Sequence, residues 1–267
     1  MNDPQSHAFL PAIPLDDLRR NVPAAFSAHP AEGVGTRYRF ISTETLVTAL
    51  LEAGFRAIAA RQGGARGRDP QYVRHMLTFQ YEFARVSLVD AVPQIVLINA
   101  HDGSSAYQLV AGLYRPVCCN GLLTRIGDFG VIHVQHRGNI VQNVVDGALT
   151  LIHDFARVRE VVEHMAARSM SHHERLAFAT QALAVRFARQ TYLPITPEQL
   201  LTPRRTIDRG EDLWHTLNMV QEHLMRGGLV GRTQRARATS TRPIRAIRED
   251  VRINHELWRL AMGLLEA

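Results

Sequence analysis

The sequence predicts an α+β fold: an antiparallel sheet of about four strands flanked by helices, followed by a helical C-terminal half. Three observations carry this reading. Apolar residues alternate between residues 72 and 136, they recur at helical spacing over 43–53 and again from 139 onward, and the links between the alternating stretches are short. Parallel strands need long crossovers, so short links make the sheet antiparallel.

The elements follow in order. Residues 1–36 carry Pro4, Pro11, Pro14, Pro23 and Pro30 among small and polar residues, with only Leu15-Asp16-Asp17-Leu18-Arg19 suited to helix. This segment reads as an extended N-terminal arm, and 37–267 as a single domain. Ser42 and Thr43 open a helix over about 43–53, whose apolar face holds Leu46, Val47, Leu50 and Leu51 and which ends at Gly54. A Gly- and Arg-rich loop occupies 61–69. Strands are predicted at Tyr72 to Phe79, at Pro93 to Asn99 as a well-buried run, at Tyr107 to Leu113 after the Asp102-Gly103 turn, and at Phe129 to His136. One long helix then runs from Asn139 to about Met170, with Ile140, Val144, Ala148, Ile152 and Phe155 on one face. Ser171-His172-His173-Glu174 has capping-box spacing and starts the next helix, through Arg189. Thr196-Pro197 is a further helix start. Asp208 to Arg226 is helical around Trp214 and Leu217, Gly227-Gly228 stops it, a basic loop spans 226–248, and a terminal helix begins at about Ile253.

The chain has 267 residues, 46% of them hydrophobic and 21% charged, which is long enough for a sizeable core and excludes collagen, coiled coil and wholly disordered protein. No apolar run approaches the roughly 20 residues that cross a bilayer, and the N-terminus lacks a basic region followed by an apolar stretch. The expected compartment is the cytoplasm, with no membrane partner. The two cysteines, Cys118 and Cys119, are adjacent and form no disulfide framework. On a strand they face opposite sides and cannot grip one ion together; no zinc spacing, phosphate-cradling Gly-Lys motif or dinucleotide fingerprint occurs, so neither metal nor cofactor is expected.

Charge is concentrated. All 31 basic residues are arginine, and the net charge is +6. Arg226, Arg232, Arg235, Arg237, Arg242, Arg245 and Arg248 fall in one stretch without Asp or Glu, so these seven leave the rest of the chain at −1. Glycines, arginine forks and the hydroxyls of Thr233, Thr239, Ser240 and Thr241 are the groups that meet phosphate oxygens. The plainer reading is a solvated loop between helices. Seven uncompensated arginines repel one another without a counter-anion, which favours nucleic acid. A second concentration, Arg56, Arg61, Arg66, Arg68 and Arg74, contains one acid, Asp69, and Arg66 and Arg68 are candidate phosphate contacts. Tyr72, Phe79, Tyr81 and Phe83 lie on the first strand and its continuation; any rings exposed there would stack on unpaired bases.

His101, Asp102, Ser104 and Ser105 include all three triad residue types, yet adjacent turn residues cannot point at one another as nucleophile, base and orienter must. Asp-Gly between strands is first a turn signal.

Residues 99–107 (Asn-Ala-His-Asp-Gly-Ser-Ser-Ala-Tyr), 111–122 (Ala-Gly-Leu-Tyr-Arg-Pro-Val-Cys-Cys-Asn-Gly-Leu) and 218–224 (Asn-Met-Val-Gln-Glu-His-Leu) form a specific combination with Gly227-Gly228, Gly231-Arg232-Thr233, Arg242 and Asn254 to Trp258. In this combination the chain resembles the phage/plasmid-like domain-of-unknown-function family nine-three-two over roughly 36–265. That family usually has Ser at Cys119 and Glu-Asn at Glu222-His223. The resemblance marks His101, Asp102, Gly103, Ser104, Ser105, Arg115, Cys119, Asn120 and Gly121 as family-motif positions and implies a phage, plasmid or other mobile-element context. The order of helix, antiparallel strands and long helix is similar to the core of Rad fifty-two-like annealing proteins, which hold single strands in Arg-lined grooves as oligomeric rings.

The expectation is therefore a nucleic-acid-binding protein, most simply one that binds or anneals single-stranded DNA during recombination, with homo-oligomerisation implied by the analogy. A second reading gathers His101, Asp102, Cys119, Asn120 and His136 into a hydrolytic or metal-dependent site acting on nucleic acid. A third makes the chain an interaction or anti-defence factor.

Overall fold

A computed structural model describes residues 10–34, 40–65, 67, 69–83, 90–105, 107–115, 120–124, 131–134, 139–188, 190 and 192–266, with the backbone alone for Asn120, His133 and Val134. The chain divides into two compact units, Met1–Val158 and Arg159–Ala267.

In the first unit, helix α1 (Leu15–Asn21) has Asp16 and Asp17 in its first turn and Arg19 and Arg20 in its last, which matches the helix dipole. Leu18, Val22, Ala24 and Ala25 are fully buried, so this part of the N-terminal segment contributes to the core. Helix α2 (Thr43–Glu52) is capped by Ser42, whose side chain accepts the Glu44 N–H at 3.2 Å. It buries Leu46, Val47 and Leu50 and ends at Gly54, whose φ of +90° suits glycine.

The sheet is antiparallel, as expected, but among the described residues has six strands rather than about four: β1 (Phe55–Gln62), β2 (His75–Tyr81), β3 (Val92–Asn99), β4 (Tyr107–Arg115), β5 (Asn120–Leu123) and β6 (Val131–Val134). The order is β1-β2-β3-β4, and β4 then pairs along one part with β5 and along another with β6. β1 was hidden by its alanines, which suit a helix equally; pairing with β2, with a bulge between Ala57 and Ala59, makes it a strand. β5 is four residues long, too short for alternation to register. Pro93 to Asn99 is buried throughout.

The expected helix over 139–170 is two helices, α3 (Ile140–His153) and α4 (Phe155–Ala167), divided at Asp154. Gly147 lets α3 lie close to the sheet: a Cβ there would be 3.2 Å from Leu109 Cδ1 and 3.3 Å from Ile132 Cδ1.

The second unit is helical with one hairpin. Helix α5 (His172–Arg186) starts with the capping box read from sequence, formed in both directions between Ser171 and Glu174. A short α6 (Pro197–Leu200) and α7 (Leu213–Arg226) follow, and α5 and α7 both pack against α8 (Ile247–Leu265). α8 begins six residues earlier than expected, with Glu249 and Asp250 in its first turn. Trp214 and Trp258 are buried in this unit. The expected basic loop contains two three-residue strands, β7 (Val230–Arg232) and β8 (Ala238–Ser240), paired antiparallel. Among the described residues no helix is long and apolar enough to cross a membrane.

Candidate nucleic-acid interface

The basic segment is a built hairpin. α7 stops at Gly227, where φ is +65° and a Cβ would come within 2.6 Å of the Thr241 carbonyl oxygen. The chain turns back at Gly228, whose N–H donates to that same oxygen at 2.8 Å, and Thr241 N–H donates to the Leu229 carbonyl at 2.9 Å. β7 is held from outside the hairpin: Arg232 N–H donates to the Pro194 carbonyl at 2.9 Å and Gln199 Nε2 to the Val230 carbonyl at 2.8 Å. At the tip, Ala236 takes a φ of +57° and donates its N–H to the Thr233 carbonyl, while Thr233 N–H donates to the Arg237 carbonyl at 2.9 Å. The Arg232 guanidinium donates to the Ala236 carbonyl at 3.0 Å and braces the tip from its side.

The seven arginines separate into two classes. Arg226 forms an ion pair with buried Glu222 at 3.1 Å, and Arg232 is engaged at the tip. Glu222 is also gripped bidentately by Arg205 at 2.8 and 2.9 Å, and Arg205 bonds Asp208 as well; these carboxylates raise the pKa of Arg205. The guanidinium groups of Arg235, Arg237, Arg242, Arg245 and Arg248 are exposed and make no hydrogen bond or ion pair among the described residues.

Beside the hairpin is an open cleft of about 590 Å³. Thr239, Ser240 and Thr241 line it from β8 and the residue after it; Arg242 follows; the end of α5 and the segment beyond supply Arg186, Phe187, Tyr192 and Pro194. Arg186 donates through Nη2 to the Arg242 carbonyl at 3.0 Å and lies 5.6 Å from the Phe187 ring centroid. Burial lowers its pKa, and Arg252 adds to that against the opposing charge of Glu249. Tyr192 is 41% exposed. Neither Arg186 nor Tyr192 stands out in the sequence, because only tertiary folding brings the end of α5 beside a hairpin more than forty residues later.

The other candidates lie elsewhere. Arg66, Arg68, Cys118, Cys119 and His136 fall outside the described residues, as does the side chain of Asn120. Arg61 donates to the Met76 sulfur at 3.4 Å and Arg74 to the Ser104 carbonyl at 3.4 Å. Phe79 is fully buried, whereas Phe83 is 67% exposed and meets Tyr81 edge-on.

His101 is sealed from solvent in a polar knot with Thr43, His75 and Asn99. Thr43 Oγ1 lies 2.9 Å from His75 Nε2, 3.2 Å from His101 Nε2 and 3.3 Å from Asn99 Nδ2. His75 Nδ1 faces the Val73 carbonyl at 3.2 Å and must carry the proton there, so Nε2 accepts the Thr43 hydroxyl. That hydroxyl has one proton, so His101 Nε2 and Asn99 Nδ2 both donate to it. Thr43 thereby uses its donor and both acceptor sites. Asp102 accepts the Ser104 N–H at 3.0 Å, and Gly103, at φ +73°, completes the turn. Ser105 is partly buried beyond it, and Gly121 is exposed on β5. Arg115 is buried and its Nε donates to Asp90. Among the described residues no three His, Cys, Asp or Glu side chains gather as a metal-holding group.

A family model described as a domain of unknown function, DUF932, matches residues 30–258. The chain is 38% identical over 253 residues to the UPF0380 proteins YfjQ and YafZ of Escherichia coli (strain K12), covering 94% of this chain and 90% of each relative. No solved structure matches it.

Proposed function

We propose that this chain, which belongs to the DUF932 family, binds nucleic acid through the arginines of its hairpin, with single-stranded DNA as the favoured partner. One observation carries the reading: five exposed guanidinium groups, Arg235 and Arg237 on a hairpin braced at base and tip, Arg242 and Arg245 after it and Arg248 in the first turn of α8, have no acidic partner among the described residues. Each such group is a place where phosphate displaces a counterion. Because the hairpin is already hydrogen-bonded, little chain ordering opposes binding.

The finer reading is strand protection or annealing for a phage or plasmid. The order of α2, an antiparallel sheet and α3 is similar to Rad fifty-two-like annealing cores, an analogy of fold order alone. On it the working form is a homo-oligomer and the chemistry requires no cofactor.

The test is fluorescence anisotropy of a labelled oligonucleotide, single-stranded and duplex, across a salt series without added metal. Tight single-strand binding that weakens steeply with salt is the expected result. No binding to either form at low salt overturns the proposal.

A further inference from the structure

We infer that the cleft beside the hairpin is a subsite for one unpaired nucleotide, taking its base against Tyr192 and its phosphate between Arg186 and Arg242. The inference rests on the nucleic-acid reading and sharpens it, because a cleft of this kind has no use for a paired base.

The cleft volume of about 590 Å³ is in the range of small-ligand sites. Its lining has two chemistries side by side. Tyr192 and Pro194 offer a ring and an apolar surface, and Tyr192 is open to solvent. The β8 side of the lining is hydroxyl-bearing, with Thr239, Ser240 and Thr241, residue types suited to phosphate and sugar oxygens; the Thr241 hydroxyl accepts the Leu229 N–H at 3.1 Å and keeps its own proton to donate. Arg186 is partly buried, is held in place by its bond to the Arg242 carbonyl, and forms no ion pair among the described residues. That bond uses one of its five N–H donors. Arg242 lines the same cleft, and its guanidinium forms no hydrogen bond or ion pair among the described residues. Two positive groups at one cleft, neither in a direct ion pair among the described residues and only Arg186 under the more distant influence of Glu249, make a place for an anion, and the neighbouring ring makes it a place for an anion that carries a base. The same chemistry belongs to a free nucleoside monophosphate and to a nucleotide within a strand, so the experiment separates the two.

The probes are a single-stranded oligonucleotide carrying 2-aminopurine, its duplex, thymidine monophosphate and inorganic phosphate. Stacking on a ring quenches 2-aminopurine. The full chain should quench the single strand beyond the duplex. Tyr192→Ala should remove the quench and weaken single-strand binding about tenfold, and Tyr192→Phe should retain both. Arg235→Ala with Arg237→Ala should weaken binding yet leave the quench of the bound strand intact. Tyr192 is exposed, and an unchanged circular dichroism melt confirms that the variant folds. A strand bound with no quench, or with a quench that Tyr192→Ala does not alter, overturns the subsite and leaves the hairpin reading standing. If no oligonucleotide binds, the hairpin reading falls. Calorimetric binding of thymidine monophosphate over phosphate, lost in Tyr192→Ala, then supports a subsite for the free nucleotide. Absence of that binding too overturns both.

Discussion

A Cβ built on Gly231 would lie 1.8 Å from the carbonyl oxygen of Pro194, so the hairpin and the segment after α5 touch backbone to backbone at a distance only glycine permits. The contact is sealed by the Arg232 N–H, which donates to the same oxygen. Gly231→Ala should therefore push the hairpin off its anchor while leaving the helices around it in place. Trypsin, which cuts after arginine, should cleave at Arg235 and Arg237 at least about tenfold faster, since cleavage follows local opening. Gly121→Ala is the control: a Cβ there meets nothing within 4 Å, and the cleavage pattern should not change.

Arg235 and Arg237 stand at the hairpin tip without side-chain partners among the described residues, so on the proposed function replacing both with alanine removes two phosphate contacts and no structural bond seen for their side chains. The slope of log affinity against log salt should flatten by about 1.4 for single strands. Arg226→Ala should act differently, because Arg226 is engaged with Glu222: the melting midpoint should fall and the salt slope should change less. Identical slopes for the wild type and the double variant would remove the hairpin tip from the interface.

Thr43 satisfies three buried groups with one hydroxyl, which makes it a poor position for an isosteric change. Thr43→Val keeps the shape and strands His75 Nε2, His101 Nε2–H and Asn99 Nδ2–H, each at a cost of about 1–3 kcal/mol. Urea unfolding should show a loss of about 3 kcal/mol or more. Thr43→Ser keeps the hydroxyl and should lose about 1 kcal/mol, the value of a buried methyl.

The same knot predicts an acid limb of stability. Burial, reinforced by the neighbouring His101, pushes the His75 pKa down to about 3. A histidine held neutral in the folded state takes up its proton only on unfolding once the pH falls below its ordinary value of about 6.5. Its contribution is complete above pH 6.5 and declines by about 1.4 kcal/mol per pH unit as the pH falls towards 3. Unfolding free energies measured between pH 7 and 4 should follow that slope, and His75→Gln should flatten it. A parallel slope in His75→Gln would assign the acid limb to other groups.

Several local signals were legible where a side chain answers its own backbone, although the Asp212 cap of α7 was not, and that helix was expected from Asp208. The Ser171–Glu174 capping box, the Thr196-Pro197 start and the glycine end of α2 all appear at the residues the sequence marks. The fold class was legible from the change of period between sheet and helices. β1 was not, since an alanine-rich stretch becomes a strand only through β2. β7 and β8 were not, since three residues carry no period and their pairing depends on Gly228 and on Pro194. The arginine concentration could be read directly, but which arginines remain free could not. Glu222, four residues before Arg226, was the one local clue that its charge is already answered. The knot around Thr43 joins residues 43, 75, 99 and 101, and no spacing in the sequence announces it.

The borders of the main sheet have a consequence for crowding. On the β4 side the border is made of two four-residue strands laid end to end, and on the β1 side Ile13 N–H already caps the Ala57 carbonyl. Short or covered borders are how sheets avoid recruiting strands from neighbouring molecules. Copies of this chain that come together at high local concentration therefore meet few open strand positions on the β4 border at which their sheets could join.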